Sequence, residues 1–378
     1  MTYPPDDMPA RPVAAVQEHR FPCPTCGSDF RFDPDTSALI CDHCGAVGQV
    51  PDDANGPWGA SDHSALQEHD LRGALARQAT AHEVEETRVS VCPSCAAQVS
   101  LGADTHATEC PYCATPVVAD TGVHRHIKPQ ALAPFVIDED AAQDAMVRWL
   151  KGLWFAPGGL QAYARKGGRM QGIYAPYWTY DAATQTHYRG ARGRVYQVTT
   201  RGPEGKPRSA TRTDWTPVSG HVARRFDDVL VLGSTALPKR YTDALQPWNL
   251  GALTRYQPAY LAGFRAEGYT VDVGAGYDDA RAQMDRTIRR DVEAQIGGDR
   301  QRITALNTQV ADVTFKHILL PVWVAAYHYR GKTYRFVVNG QSGRVRGERP
   351  WSVLKIAGAV VLGLAVAAAI ALVMPEGA

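Results

Sequence analysis

The chain has 378 residues, 44% hydrophobic and 9% aromatic, an ordinary globular composition that excludes a wholly disordered chain and leaves room for more than one domain. A formal net charge of +1 hides a split: residues 1 to 120 carry 6 Lys/Arg and 18 Asp/Glu, net −12, and subtraction from totals of 40 and 39 leaves 34 and 21, net +13, for the rest. The Pro- and Asp-rich stretch Met1–Pro12 has no apolar core, so no signal peptide is expected, and a reducing cytoplasm disfavours a disulfide framework for the eight cysteines.

Residues 1–19 are expected to be disordered, with a first zinc ribbon over 20–50. Its knuckles are Cys23-Pro-Thr-Cys26 and Cys41-Asp-His-Cys44. The fourteen residues between them hold a strand, a turn and a returning strand, suggested by Phe30-Arg-Phe32 and Ala38-Leu-Ile40. Four thiolates can then converge on one tetrahedral Zn²⁺. Gly27 and Gly45 follow the second thiol of each knuckle, where tight turns need their conformational freedom. A linker over 51–87 includes a short helix opened by the capping box Ser64-Ala-Leu-Gln67.

A second ribbon spans 88–120 with Cys92, Cys95, Cys110 and Cys113. An offset of 69 residues superimposes all four on the first quartet, an internal repeat that implies two Zn²⁺ per chain. Four cysteines close a coordination sphere and leave no position for water, which is the mark of a structural site; His43 and His106 have no vacancy to fill.

Residues 121–350 read as an α+β domain without regular βαβ alternation. Helices are expected over Asp140–Trp154 and Asp278–Ile296, each stopped by a Gly pair, and strands over Arg194–Thr200, Val229–Leu232 and Tyr269–Val273. Ile173-Tyr-Ala-Pro-Tyr-Trp178 and Ile318-Leu-Leu-Pro-Val-Trp323 each lead to a Tyr-Arg-Gly turn, which predicts two related hairpins paired in one sheet with their aromatics in its core.

The nineteen residues Ile356–Met374 lack any charge and are expected to form a transmembrane helix within 353–374. Arg344, Arg346, Arg349 and Lys355 on its N-terminal flank orient it, giving a single-pass cell inner membrane protein whose large N-terminal part is cytoplasmic. Trp351 would sit at the interface. Ala359, Gly363, Ala367 and Ala371 form a small-residue stripe that would allow homo-oligomers.

Local charge separates the partner classes. Both ribbons are acidic before their thiolates are counted, which disfavours nucleic acid and makes them protein-binding or folding modules. The basic residues Arg189, Arg192, Arg194, Arg201, Lys206, Arg208 and Arg212, with Arg286, Arg289 and Arg290, would either attract anionic lipid or form a solvated face that pairs with the ribbons. No enzyme signature is present: Gly202-Pro-Glu-Gly205-Lys206-Pro207 lacks the phosphate-loop frame, and His82-Glu-Val-Glu-Glu86 has Glu where a zinc protease needs its second His. Asp181, His187, His221 and His317 fall into no constellation by spacing.

The cysteine quartets, the two Pro-x-Trp segments, the turn Val338-Asn-Gly340-Gln-Ser-Gly343 and the terminal apolar run together resemble a family of uncharacterised bacterial zinc-ribbon membrane proteins. Its members are often labelled as primosomal protein N′ (replication factor Y), a superfamily II helicase. That label rests on the quartets alone, and the chain has none of the nucleotide-binding motifs a helicase requires.

The fold expected is therefore a multi-domain chain: two small four-cysteine zinc ribbons, an α+β, sheet-rich domain and one C-terminal transmembrane helix. The function expected is a non-enzymatic, tail-anchored scaffold holding an unknown protein partner. The alternative is a membrane-tethered nucleic-acid-binding protein using residues 189–212.

Overall fold

The computed structural model describes residues 21–50, 68–76, 84–91, 98–100, 107–109, 116–118, 123–157, 170–201, 207–329 and 332–373; within 84–126, 200–208, 327–333 and 370–373 only the backbone is described. The expected disordered N-terminus, the capping box at Ser64 and the loop Gly202–Lys206 lie outside the described residues.

The first ribbon is a three-stranded antiparallel meander of β1 (Phe30–Asp33), β2 (Ala38–Cys41) and β3 (Val47–Gly48). Phe30 pairs with Cys41 and Asp33 with Ala38, as the knuckle spacing requires. Next come β4 (His69–Asp70) and the short helix α1 (Leu71–Ala76), which buries Leu71. In the second ribbon region β5 (Val84–Val91) pairs with β6 (Gln98–Ser100), and β7 (Ala107–Glu109) with β8 (Pro116–Val118), so that paired strands bracket residues 92–97 and 110–115. β9 (Val123–Ile127) returns along β5.

The body is dominated by one nine-stranded sheet that curls into a half-barrel. Three long strands build it: β11 (Gln171–Arg201), β12 (Pro207–Leu232) and β15 (Arg300–Tyr329). Around them lie β10 (Ala131–Leu132), β13 (Thr254–Arg255), β14 (Arg265–Ala266), β16 (Lys332–Asn339) and β17 (Val345–Gly347). The helices are α2 (Glu139–Lys151), α3 (Lys239–Thr242), α4 (Val273–Ile296) and α5 (Val353–Val373). Asp138 and Asp272 cap α2 and α4, each accepting from the N–H three residues on.

The two Pro-x-Trp segments meet as the internal repeat predicts. Tyr174 lies opposite Pro321 and Trp178 opposite His317, and each strand turns back into its own hairpin partner, β12 or β16. This root of the sheet is covered on both faces, so Ile173–Tyr180 and Phe315–Val324 are buried without a break. One face packs Ile173, Ala175, Ile318 and Leu320 against Leu237, Leu245 and Trp248. The other packs Tyr174, Leu319 and Trp323 against α2, and Trp178, Tyr180 and Phe315 against α4. Indole N–H groups of Trp178 and Trp323 donate to the Val271 and Ile137 carbonyls, so their polar edges are satisfied where they are buried.

Beyond Ala182 the same strands continue as a blade with a different pattern. Thr184, Thr186 and Tyr188 are buried beneath α4, while Gln185, His187 and Arg189 are exposed. Shifts of register at Tyr180/Ala182 and Asp181/Ala183 mark the boundary, and Asp228 and Asp312 there hold φ of 50° and 52°.

Three expectations are corrected. Tyr269–Val273 forms no strand: the N–H groups of Thr270 and Val271 donate to Gly233 O, and Asp272 starts α4, which begins five residues before the expected Asp278. The α+β domain is one sheet with helices laid on it, its strands far longer than the separate runs expected. The transmembrane helix and the inner-membrane, single-pass placement fall as well, because among the described residues no helix is long and apolar enough to cross a membrane. Lys355 Nζ ties the first turn of α5 to the body through the carbonyls of Trp154 (3.2 Å) and Ala156 (2.8 Å). Trp351 stacks with the Arg349 guanidinium, 4.3 Å from the ring centroid.

Candidate metal centre

Each knuckle of the first ribbon is a tight turn closed by a glycine. Gly27 N donates to Cys23 O and Gly45 N to Cys41 O, both at 2.8 Å, with φ of 77° and 73° that an L side chain rarely adopts. The turns bring all four sulfurs within 4.8 Å of one another. Cys23 Sγ lies 3.6 Å from Cys44 Sγ, and Cys26 Sγ 3.5 Å from Cys41 Sγ. Four sulfurs at ~2.3 Å from a tetrahedral Zn²⁺ would sit about 3.8 Å apart, so the quartet fits the ion with a small expansion.

The electrostatics of the quartet are compatible with a cation. Desolvation opposes ionisation of Cys23, but the N–H groups of Thr25 and Cys26 with the sulfurs of Cys44 and Cys41 outweigh it and bring the thiol down to about 6. At Cys44 the Ala46 N–H favours the thiolate, yet the Cys26 sulfur, desolvation and the other two thiols push it up to about 12. One thiolate forms readily and the last is resisted by its neighbours; a divalent ion removes that conflict by neutralising the set. When bound, zinc would supply cross-linking of the two knuckles and no open position for chemistry.

The quartet is fused to the body. Cys23 and Cys41 are buried, and beneath them Phe32, 0% exposed, packs with Leu39 on Ala259 and Ala262. Phe32 N donates to Ala262 O at 3.0 Å. From there aromatic rings run to the root of the sheet. Phe32 meets Tyr260 edge-on at 5.1 Å; Phe264, on the same turn, stacks on Phe135 at 4.2 Å, and Phe135 contacts Tyr174 and Trp323 at 5.1 and 5.0 Å. Gly172 is required here, since a Cβ at that position would meet Phe264 Cδ1 at 2.3 Å. A cleft of about 740 Å³ remains between ribbon and body, lined by charges of both signs including Arg31, Asp42, Asp138 and Arg265.

Cys92, Cys95, Cys110 and Cys113 lie outside the described residues. Of the histidines, His43 is exposed beside Cys44. His187 and His221 face each other across β11 and β12 with ring centroids 6.1 Å apart, and His317 packs on Trp178 at 4.8 Å. Spacing alone could not have paired them.

A second polar cluster was missed in the sequence. At the root–blade boundary, Lys316 Nζ, 9% exposed, lies 2.9 Å from Asp228, 3.1 Å from Glu68 and 3.9 Å from Asp181. Burial raises Asp181 to about 7, reinforced by the neighbouring Glu68 carboxyl. Glu68, although desolvated, is brought down to about 2 by hydrogen bonds from Asp181 and Thr314 and by Lys316. The cluster fastens the segment at Glu68–Asp70 to β15, where β4 pairs Asp70 with Thr314. Its signal was Lys316-His317 inside an otherwise apolar run, together with the Asp227-Asp228 pair that interrupts β12.

No family model matches the chain, and no solved structure matches it. It is similar to the uncharacterized protein YdjG of Bacillus subtilis (strain 168), 26% identical over 342 residues that cover 89% of this chain and 92% of that protein. The primosomal protein N′ label finds no support in these comparisons.

Proposed function

We propose that this chain is a non-enzymatic, zinc-dependent scaffold that presents binding surfaces to a protein partner, with two zinc ions per chain in two four-cysteine ribbons. The observation that supports this reading is the closed quartet of Cys23, Cys26, Cys41 and Cys44, seated through Phe32 on the aromatic path to the sheet root. Such a site does its work by holding a surface in shape. The four sulfurs leave no coordination position for substrate, and the ion's contribution is to folding. The internal repeat carries the same expectation to Cys92, Cys95, Cys110 and Cys113.

Native mass spectrometry of the intact chain tests the reading directly. Two zinc ions are expected, falling to one when Cys41→Ser is introduced. A wild-type stoichiometry of one or none would sink the two-site scaffold.

A further inference from the structure

The blade leaves one face of its sheet uncovered, and that face has a consistent chemistry. The positions sharing it are 183, 185, 187, 189, 191 and 193 of β11; 215, 217, 219, 221, 223 and 225 of β12; and 300, 302, 305, 307, 309 and 311 of β15. Fourteen of these eighteen are exposed, so nothing among the described residues covers the face. None is Asp or Glu, and Arg189, Arg225, Arg300 and Arg302 are among them. Trp215 stands in their midst: its ring lies over Gly193, where a Cβ would meet Cζ3 at 3.1 Å, and the Arg302 guanidinium stacks on it at 4.4 Å from the centroid. Among the described residues no carboxylate pairs with Arg189, Arg225 or Arg300.

The expected basic patch at 189–212 therefore divides. Arg192, Arg194 and Arg212 fall on the other face, where Arg192 donates to Ile296 O and Arg194 lies opposite Asp214. The ten steps from 183 to 193, at ~3.3 Å each, make the open face about 33 Å long.

We infer that this face binds single-stranded nucleic acid, with the arginines on phosphates and the Trp215–Arg302 pair as a stacking platform for a base. An acid-free basic surface supplies the phosphate attraction, and an aromatic ring with a guanidinium on it is the element that recognises an unpaired base. Exposed amides at Gln185, Asn307 and Gln309 offer base-edge donors and acceptors between the arginines. A lipid surface fits less well: all four cations are arginines held on rigid strands, and Trp215 is the one large apolar side chain of the face. The inference is independent of the scaffold reading, since no zinc ligand contributes to it.

The test is fluorescence anisotropy of the zinc-loaded full chain with labelled 12-mers of oligo(U) and oligo(dT), across 50 to 200 mM salt. Binding should weaken with salt, and Arg189→Gln/Arg302→Gln should lower the logarithmic salt slope by about 1.4, at ~0.7 for each phosphate no longer neutralised. Trp215→Ala should cost roughly tenfold. The control Arg194→Gln/Arg212→Gln, which removes equal charge from the opposite face, should stay within about twofold of wild type. Absence of binding at 50 mM salt overturns the inference. So does equal loss in the control, or binding of phosphatidylglycerol vesicles or polyglutamate through this face without binding of the oligonucleotides.

Discussion

Along β11 the side chains from Ile173 to Tyr180 are all buried, whereas from Thr184 to Arg189 buried and exposed residues take turns. β15 pairs antiparallel with β11 through both stretches, and β12 flanks it from Tyr177 onward. What changes is the cover. At the root, the segment holding Leu237, Leu245 and Trp248 closes one face and α2 with α4 closes the other; along the blade α4 alone remains. A sheet covered on both faces spends its whole sequence on packing, and a sheet covered on one has every second residue free for recognition. The four-cysteine ribbon belongs to the root, reached through Phe264 and Phe135, and the basic face belongs to the blade.

The sharpest way to break this division is to make matched truncations on either side of it. Leu320, 0% exposed at the root, should cost about 2–5 kcal/mol as Leu320→Ala, because the surrounding layers cannot collapse into the space. A denaturant titration that gave Leu320→Ala less than ~1 kcal/mol would mean the root is not a close-packed core.

The boundary cluster should give an intermediate, pH-dependent effect. Asp181 is raised to about 7, so between the ordinary carboxylate range near 4 and pH 7 the folded chain holds a proton that the unfolded chain has released, and stability falls as pH rises through that window. Glu68, brought down to about 2, acts in the opposite sense: its contribution is present above its ordinary range and is lost as pH falls toward 2. Asp181→Asn should therefore flatten the loss of stability between pH 4 and 7 and leave the acid limb in place. An unchanged slope in that window would show that Asp181 does not hold its proton in the folded chain.

The smallest effect is expected on the open face. Asn307→Ala removes an exposed side chain of the blade and should stay within about 0.5 kcal/mol of wild type in the same titration. A loss as large as that of Leu320→Ala would mean that something covers the blade after all.

The difference between the regions also explains what could be read in advance. The ribbon was legible because thiolate geometry fixes spacing: Cys26 and Cys41 dictate the strands between them. The root was legible because Trp178 and Trp323 repeat within matching apolar runs that pair. The blade was not. Gly190, Gly193 and Pro217 look like turn residues, yet they sit inside strands of 31 and 26 residues, and pairing of 300–311 with 183–193 depends on a polar alternation that local propensity does not signal. The Lys316 cluster was hidden for a related reason, since Glu68, Asp181 and Asp228 come together only when three separate segments are in register. Tyr269–Val273 has strand-like residues, but the N–H groups of Thr270 and Val271 go to Gly233 O and Val273 already begins α4.

The central claim is that the four-cysteine ribbon is a built-in part of the root while the blade stands independently of it. Hydrogen–deuterium exchange of the zinc-loaded full chain, before and after chelation, addresses it most directly. Removal of zinc should release amides in the ribbon, residues 21–50, and in the turn that receives Phe32, residues 258–264, by at least about tenfold, and leave residues 183–193 and 300–311 unchanged. Unaltered protection at 258–264, or a loss spread equally over the blade, would contradict the account.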